Sequence, residues 1–212
     1  VTGTTLDIEP RLVKRIKTRL LISSVGCHPH RSIPPGNEER CRVFIDSILS
    51  NSNIHLAVRN DGSINVIKQV FGKHYSNAIT EILDNGFFYT QKNKLNLGFN
   101  RPYVAINITE DQLDMLASGG TRVDVDDYYK ELALLINKLI SDFGLDVLLV
   151  PHIYKDLFAI SRLLLDINES LVRRHVTIAP YIQGESGANL IASLYASSKI
   201  VMATRLHANI IG

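Results

Sequence analysis

The apolar segments of this chain are continuous rather than alternating, and amphipathic segments separate them. LDVLLVPH, residues 145–152, has almost no polar residue before its carboxyl end, and KIVMATR, residues 199–205, repeats the pattern. Strands that are apolar on both faces are typical of parallel sheets covered by helices on both sides. The pattern therefore predicts an α/β fold.

The first run of alternation occupies residues 1–95. Its strand candidates are LLISSV at 20–25 and IHLAVR at 54–59, and Asn37 is a suitable cap for the helix that separates them. A short helix is predicted over residues 76–84, before GFFYT. This run predicts one Rossmann-like domain.

A second run begins after the polar segment QKNKLNLGFNRP, residues 91–102, which is the best linker candidate because it is poor in apolar residues and ends in proline. Residues 101–212 then alternate strand and helix again, from YVAINIT onward. We expect two Rossmann-like domains, 1–95 and 101–212, that face a cleft. Because the chain begins at Val1 and stops at Gly212 inside an apolar stretch, we expect the first domain to be partial and the second to be truncated at its C-terminus.

Composition excludes several classes of function. The 23 basic and 21 acidic residues leave a net charge of only +2, so no basic surface for nucleic acid or anionic membrane is predicted. Cys27 and Cys41 form neither a zinc signature nor a disulfide framework, which favours a reducing, cytoplasmic setting. No apolar run approaches the ~20 residues that span a bilayer, and no signal peptide is recognisable.

Polar residues follow four of the predicted strands. Ligands of open α/β sheets bind beyond the carboxyl ends of the strands, so these residues are the candidates for a site. They are Arg59 with Asp61, Asn107 with Thr109, His152, and Arg205 with His207.

Arg205 and His207 admit two interpretations. They point the same way if the strand continues through both, and they diverge by about 200° if a helix begins at Arg205. An anion clamp beside an acid or base is the functional interpretation. Periodicity alone favours a structural arginine bonded to a carbonyl and a packed histidine. The residue pattern alone also favours structural roles for His152 and for Arg59, which can pair with Asp61 in a turn.

Other motifs are weaker. His28 and His30 lack metal-site spacing and a third ligand, so no metal is predicted. GESG, residues 184–187, is too short for a phosphate loop, and neither a GxSxG elbow nor a Ser/His/Asp order is present.

Three stretches together resemble the polysaccharide pyruvyl transferase family. HLAVRNDGS is similar to its Arg-Asp-x-x-Ser block, with Asn60 where aspartate is usual or Asp61 displaced by one. LDVLLVPHIYKD resembles its strand that ends in histidine and is followed by aspartate. The most specific likeness is ESGANLIASLYASSKIVMATRLHANIIG, which resembles the closing helix, strand and Arg-Leu-His-Ala.

The resemblance implies a glycosyltransferase-B-like arrangement and the transfer of pyruvate from phosphoenolpyruvate to two sugar hydroxyls as a ketal, with release of phosphate. His207 is then the expected general acid, and Arg205 the clamp for the donor's carboxylate or phosphate. His152 is expected to bind phosphate or relay a proton. Arg59, also a candidate substrate-binding residue, is expected to hold the turn that faces the cleft. The donor is a substrate, and neither a cofactor nor a metal is expected.

One position departs from the family pattern. An arginine commonly ends the first strand of the second domain, where this chain has Asn107 and Thr109. We keep both as candidate substrate-binding residues. The missing positive charge would have to come from elsewhere, such as Arg101 or Arg122, or the donor differs.

The expected partners are phosphoenolpyruvate and a glycan or lipid-linked acceptor, at a cytoplasmic location or at the periphery of the membrane where glycans are assembled. Two alternatives stay open: a nucleotide-sugar glycosyltransferase on the same scaffold, and a non-catalytic glycan-binding relative. The sequence specifies neither the acceptor sugar, nor the ketal position, nor the oligomeric state.

Overall fold

A computed structural model of the chain describes residues 8–27, 36–90, 98–110 and 124–212. The chain divides into two compact units, Val1–Phe88 and Tyr89–Gly212. The linker predicted from the sequence begins a few residues beyond this division. Each unit has its own parallel sheet, which confirms the α/β class. The placement of two such domains around a cleft stays a prediction.

The first unit is built on three parallel strands in the order β1-β2-β3. These are β1 Leu20–Val25, β2 Ile54–Arg59 and β3 Thr80–Ile82. The helices are α1 Pro10–Lys14, α2 Asn37–Leu49, α3 Ser63–Val70 and α4 Lys73–Ala78, followed by a 3-10 turn at Asn85–Phe88. Fully buried Ile48 of α2 and Ile67 of α3 belong to the same apolar core as Val58 of β2.

The helix predicted over residues 76–84 is wrong. Helix α4 ends at Ala78, Ile79 is extended and buried, and residues 80–82 form β3. This segment is a strand because it pairs with β2, with Thr80 opposite Ala57 and Ile82 opposite Arg59. Tertiary pairing here overrides the local helical pattern.

The second unit has four parallel strands in the order β6-β5-β4-β7. The strands are β4 Tyr103–Asn107, β5 Asp146–Leu149, β6 Val176–Ile178 and β7 Ile200–Ala203. The helices are α5 Val125–Ser141, α6 Tyr154–Asp166, α7 Glu169–His175, α8 Gly184–Ser197 and α9 Leu206–Ile211. Numbered within the unit, this order is 3-2-1-4, the arrangement of a Rossmann-like half.

Both faces of this second sheet are covered. Val104 and Ile106 of β4 pack into a core with Ile136 of α5 and Leu163 of α6. Ala105, on the opposite face of the strand, packs with Leu194 of α8. Burial on both sides explains why β4 and β5 read as continuous apolar runs.

The strand order changes direction at β4, which pairs with β5 on one side and with β7 on the other. Ligand sites of doubly wound sheets lie at such a switch point, beyond the carboxyl ends of the strands. Helix α9 begins at Leu206, so Arg205 is its N-cap residue, with extended backbone angles of φ −85° and ψ 136°. The part of the chain that the structure describes includes no helix that is both long enough and apolar enough to span a membrane.

Candidate functional site

A buried carboxylate organises the carboxyl end of the second sheet. Asp156, in the first turn of α6, has no exposed side-chain surface. It accepts hydrogen bonds from the backbone amides of His152 at 2.8 Å and Ile153 at 3.2 Å. The guanidinium of Arg205 donates to the same carboxylate, with Nε at 3.0 Å and 3.2 Å from its two oxygens. An ion pair thus joins the segments that follow β5 and β7.

Asn107 and Thr109 extend this ion pair to the end of β4. The Thr109 hydroxyl accepts from Nη2 of Arg205 at 3.0 Å, and the side-chain oxygen of Asn107 accepts from the Arg205 amide at 3.2 Å. Asn107 also donates to the carbonyl of Val150 at 3.0 Å. Both side chains are about 1% exposed. Their hydrogen bonds hold Arg205 at the carboxyl end of the sheet.

The carboxyl of Asp156 stays ionised in this setting. Burial by itself raises its pKa, but the hydrogen bonds from Arg205 and from the two backbone amides outweigh burial and hold the pKa below its usual range. The guanidinium of Arg205, whose side chain is 16% exposed, is therefore committed to an internal anion.

A cavity of about 350 Å³ opens beside this cluster. His152 and His207 both line it, together with Gln183 and Gly184 at the start of α8. His207 is exposed, and His152 is half-buried. The two histidines that follow predicted strands therefore share one cavity.

Gly187 allows the chain to pack closely at the edge of the cavity. A Cβ atom at Gly187 would lie 1.8 Å from the carbonyl oxygen of Ile182, so only glycine permits the preceding loop to approach the first turn of α8. The GESG stretch is thus a close-packing element at the edge of the cavity.

His152 is held as an uncharged ring. Its Nε2 lies 2.6 Å from the hydroxyl oxygen of Tyr195, which belongs to α8 and is 2% exposed. Burial, with smaller contributions from the positive charges of Arg205 and His207, lowers the pKa of His152 to about 4 in spite of nearby Asp156. Its ring is neutral at physiological pH.

Asp156 and Tyr195 are the residues to which sequence reasoning assigned no role. The signal for Asp156 was its position four residues after His152, at the third residue of a helix, where a carboxylate can bond the amides of the helix start. Tyr195 gave no such signal, because a tyrosine within LIASLYA is typical of a core helix.

Arg59 lies in the first unit, within a network of its own. Its guanidinium pairs with Asp61 and, at 3.3 Å, with Asp84. Ser63, which follows in the same block, accepts from the amide of Cys27 at 2.7 Å. The RNDGS block therefore ties β2 to the ends of β1 and β3, as the salt-bridge interpretation expected.

Three residues singled out from the sequence, His28, His30 and Arg122, lie outside the described residues. Arg101 is exposed just before β4. Within the described ranges, no group of three or more His, Cys, Asp or Glu residues is arranged to hold a metal ion.

A family model describes almost the entire chain. The model named polysaccharide pyruvyl transferase matches residues 8–212, which include the RNDGS, PHIYKD and RLHA blocks. The chain belongs to the polysaccharide pyruvyl transferase family. Membership in this family identifies a transferase that acts in polysaccharide biosynthesis and implies a glycan acceptor. Searches of curated proteins and of solved structures found no significant match.

We expect Asp156→Asn to destabilise this family member strongly. The change leaves Arg205 partly buried without a counter-charge, which typically costs about 3 kcal/mol or more. Urea unfolding measures the loss. Asp166→Asn, at the exposed end of the same helix, is the control and should change stability by less than about 0.5 kcal/mol. Equal effects of the two variants would contradict the role of the buried pair.

The same carboxylate makes stability depend on pH. The pKa of Asp156 is lower in the folded chain than its ordinary value of 3.8. Its contribution to the free energy of unfolding is therefore fully present above about pH 3.8. The contribution is lost as pH falls through the folded pKa. Below pH 4 the wild type should therefore lose stability more steeply than Asp156→Asn. Parallel slopes in acid unfolding curves would contradict this assignment.

Gly26→Ala should disturb the Arg59 network. The new Cβ would lie 2.6 Å from Nη2 of Arg59, whose guanidinium is fixed by two carboxylates. We expect a loss of about 1–3 kcal/mol in unfolding free energy. In an Arg59→Ala background the same change should have little effect. An equal loss in both backgrounds would show that contact with Arg59 is not the cause.

Proposed function

We propose that the protein transfers pyruvate from phosphoenolpyruvate to two hydroxyls of a glycan or lipid-linked sugar as a cyclic ketal. The observation that carries this proposal is the shared cavity of His152 and His207, the latter from the RLHA block, in a chain of this family. The donor is consumed as a substrate, and the residues of the cavity supply the acid and the anion contacts.

The chemistry requires a proton at the enol methylene carbon. Protonation converts this methylene to a methyl group and gives C2 oxocarbenium character, so that one sugar hydroxyl can attack it. The bond between C2 and the phosphate oxygen then breaks, and the second hydroxyl attacks C2 of the oxocarbenium ion that results. Of the two hydroxyl protons, one replaces that delivered to carbon and the other leaves with phosphate.

His207 is the proposed general acid. It is exposed at the cavity, whereas the ring of His152 is half-buried and, with a pKa lowered to about 4, carries no proton to donate as an acid at neutral pH. After protonating the methylene, neutral His207 can accept the proton of an attacking hydroxyl. One histidine thus serves both proton transfers.

In this proposal the negative charges of the donor are bound at the start of helix α8, which also lines the cavity. Helix α8 has 14 residues and begins at Gly184, and its N-cap residue Gln183 makes no side-chain cap bond. The first amides of such a helix point at the cavity end and favour an anion. We assign the phosphate or carboxylate of the donor to this helix start.

Arg205 acts in this proposal mainly through position and charge. Its Nε and Nη2 hold Asp156 and Thr109, which fixes the backbone that carries His207 two residues later. Its positive charge also lies close enough to depress the pKa of His152. Asn107 and Thr109 serve the site by holding Arg205, and Arg59 holds its own turn in the first unit.

The direct test supplies phosphoenolpyruvate with a panel of β-linked galactosyl, mannosyl and glucosyl acceptors. We expect release of phosphate that depends on the acceptor, together with a mass gain of pyruvate on the glycan. Phosphoenolpyruvate alone should raise the melting temperature, because it binds the folded state. Absence of donor binding, or glycosyl transfer from a nucleotide sugar instead, would contradict the proposal.

His207→Gln should lower kcat by about 100- to 10,000-fold, the usual contribution of a general acid. Donor binding should remain nearly unchanged, because the amides of α8 are intact. His55→Gln, an exposed histidine of β2 in the first unit, is the matched control and should retain full activity. Full turnover in His207→Gln would refute the acid assignment.

A further inference from the structure

Tyr195 places a buried hydroxyl directly on a cavity residue. Its side chain packs in the core between α8 and the second sheet, and its oxygen lies 2.6 Å from Nε2 of His152. The two rings are tilted by 35° with centroids 5.7 Å apart. Among the described residues the Tyr195 hydroxyl has no second hydrogen-bond partner.

This geometry decides which ring nitrogen carries the hydrogen. A neutral imidazole has one donor and one acceptor nitrogen. If Nε2 carried the hydrogen, the tyrosine oxygen would accept it, and the buried hydroxyl hydrogen would have no acceptor among the described residues. That arrangement is unfavourable. If the hydroxyl donates to Nε2, both groups are satisfied and the hydrogen resides on Nδ1.

The other nitrogen of His152 is then available to the cavity. Within the described part of the chain, Nδ1 has no hydrogen-bond partner, and the residue lines the cavity. The backbone amide of His152 is bound to Asp156 at 2.8 Å. Main chain and ring are thus held from two sides, one by a carboxylate and the other by a phenol.

We propose that Tyr195 is a positioning residue that fixes His152 as the Nδ1–H tautomer, which donates a hydrogen bond to an anionic oxygen of the donor. The tautomer is inferred from the contact between Tyr195 and His152, whereas the identity of the anion rests on the proposed function. The bound oxygen belongs to a phosphate or a carboxylate, both of which phosphoenolpyruvate carries. In this scheme His152 orients the donor, and His207 transfers the proton.

The test removes the hydroxyl while keeping the ring. Tyr195→Phe should retain the core, and nitrogen-15 NMR of labelled histidine reports the tautomer without any substrate. We expect the His152 signals, assigned by their loss in His152→Gln, to show hydrogen on Nδ1 in the wild type. In Tyr195→Phe they should shift toward hydrogen on Nε2.

Tyr103→Phe is the matched control. Tyr103 belongs to the same core, but its hydroxyl donates to the carbonyl of Leu194 at 2.6 Å instead of to a histidine. This variant should leave the tautomer of His152 and the affinity for donor unchanged. Tyr195→Phe should weaken binding of phosphoenolpyruvate about tenfold, as expected for one positioned hydrogen bond, with a smaller change in kcat.

The outcomes separate the two proposals. Hydrogen on Nε2 in the wild type, or an unchanged tautomer in Tyr195→Phe, would overturn the positioning role. So would equal loss of donor affinity in Tyr195→Phe and Tyr103→Phe. If the tautomer shifts as expected but phosphoenolpyruvate binds neither protein, the role of Tyr195 in fixing the tautomer stands and the proposed function fails.

Discussion

The ion pair between Asp156 and Arg205 is the interaction on which the second unit's site depends. It joins the segments after β5 and β7, and through Thr109 it reaches the end of β4. A buried pair loses hydration, so its net contribution to stability is small when both partners are present, although removing either one is costly. Its structural effect is to select one arrangement of three strand ends. These strand ends include the switch point of the sheet, where a ligand site is expected.

Fixing the strand ends gives the two histidines different properties. His152 follows β5, is bonded through its amide to Asp156, and is pressed against the core, where its ring stays neutral. His207 belongs to α9, whose N-cap is Arg205, and it stays exposed at the same cavity. In the proposed function, the neutral ring serves as a hydrogen-bond donor to the anionic substrate and the exposed histidine serves as the acid or base.

The sequence predicts those parts of the fold that depend on local patterns, because apolar runs identify strands that are buried on both faces. It fails at β3, where Thr80–Ile82 becomes a strand by pairing with β2, and no local pattern records that pairing. Arg205 and His207 could be found because they follow a strand. The partner of Arg205 lies 49 residues away and that of His152 lies 43 residues away, so their pairing appears only in the folded chain. The sequence did not indicate a role for Tyr195, because its ring packs in the core and only its hydroxyl contacts His152.

Asn107 shows how the site differs from the pattern that its family resemblance led us to expect. The family pattern commonly has an arginine at the end of strand β4, whereas the chain has Asn107, which is buried and bonds both the Arg205 amide and the Val150 carbonyl. A second guanidinium in that place would oppose Arg205 and would lack a counter-charge, since Asp156 already serves one. An amide fits because it can accept and donate without adding charge. In the proposed function, the anionic groups of the donor are therefore assigned to the cavity side, to the start of α8 and the ring of His152.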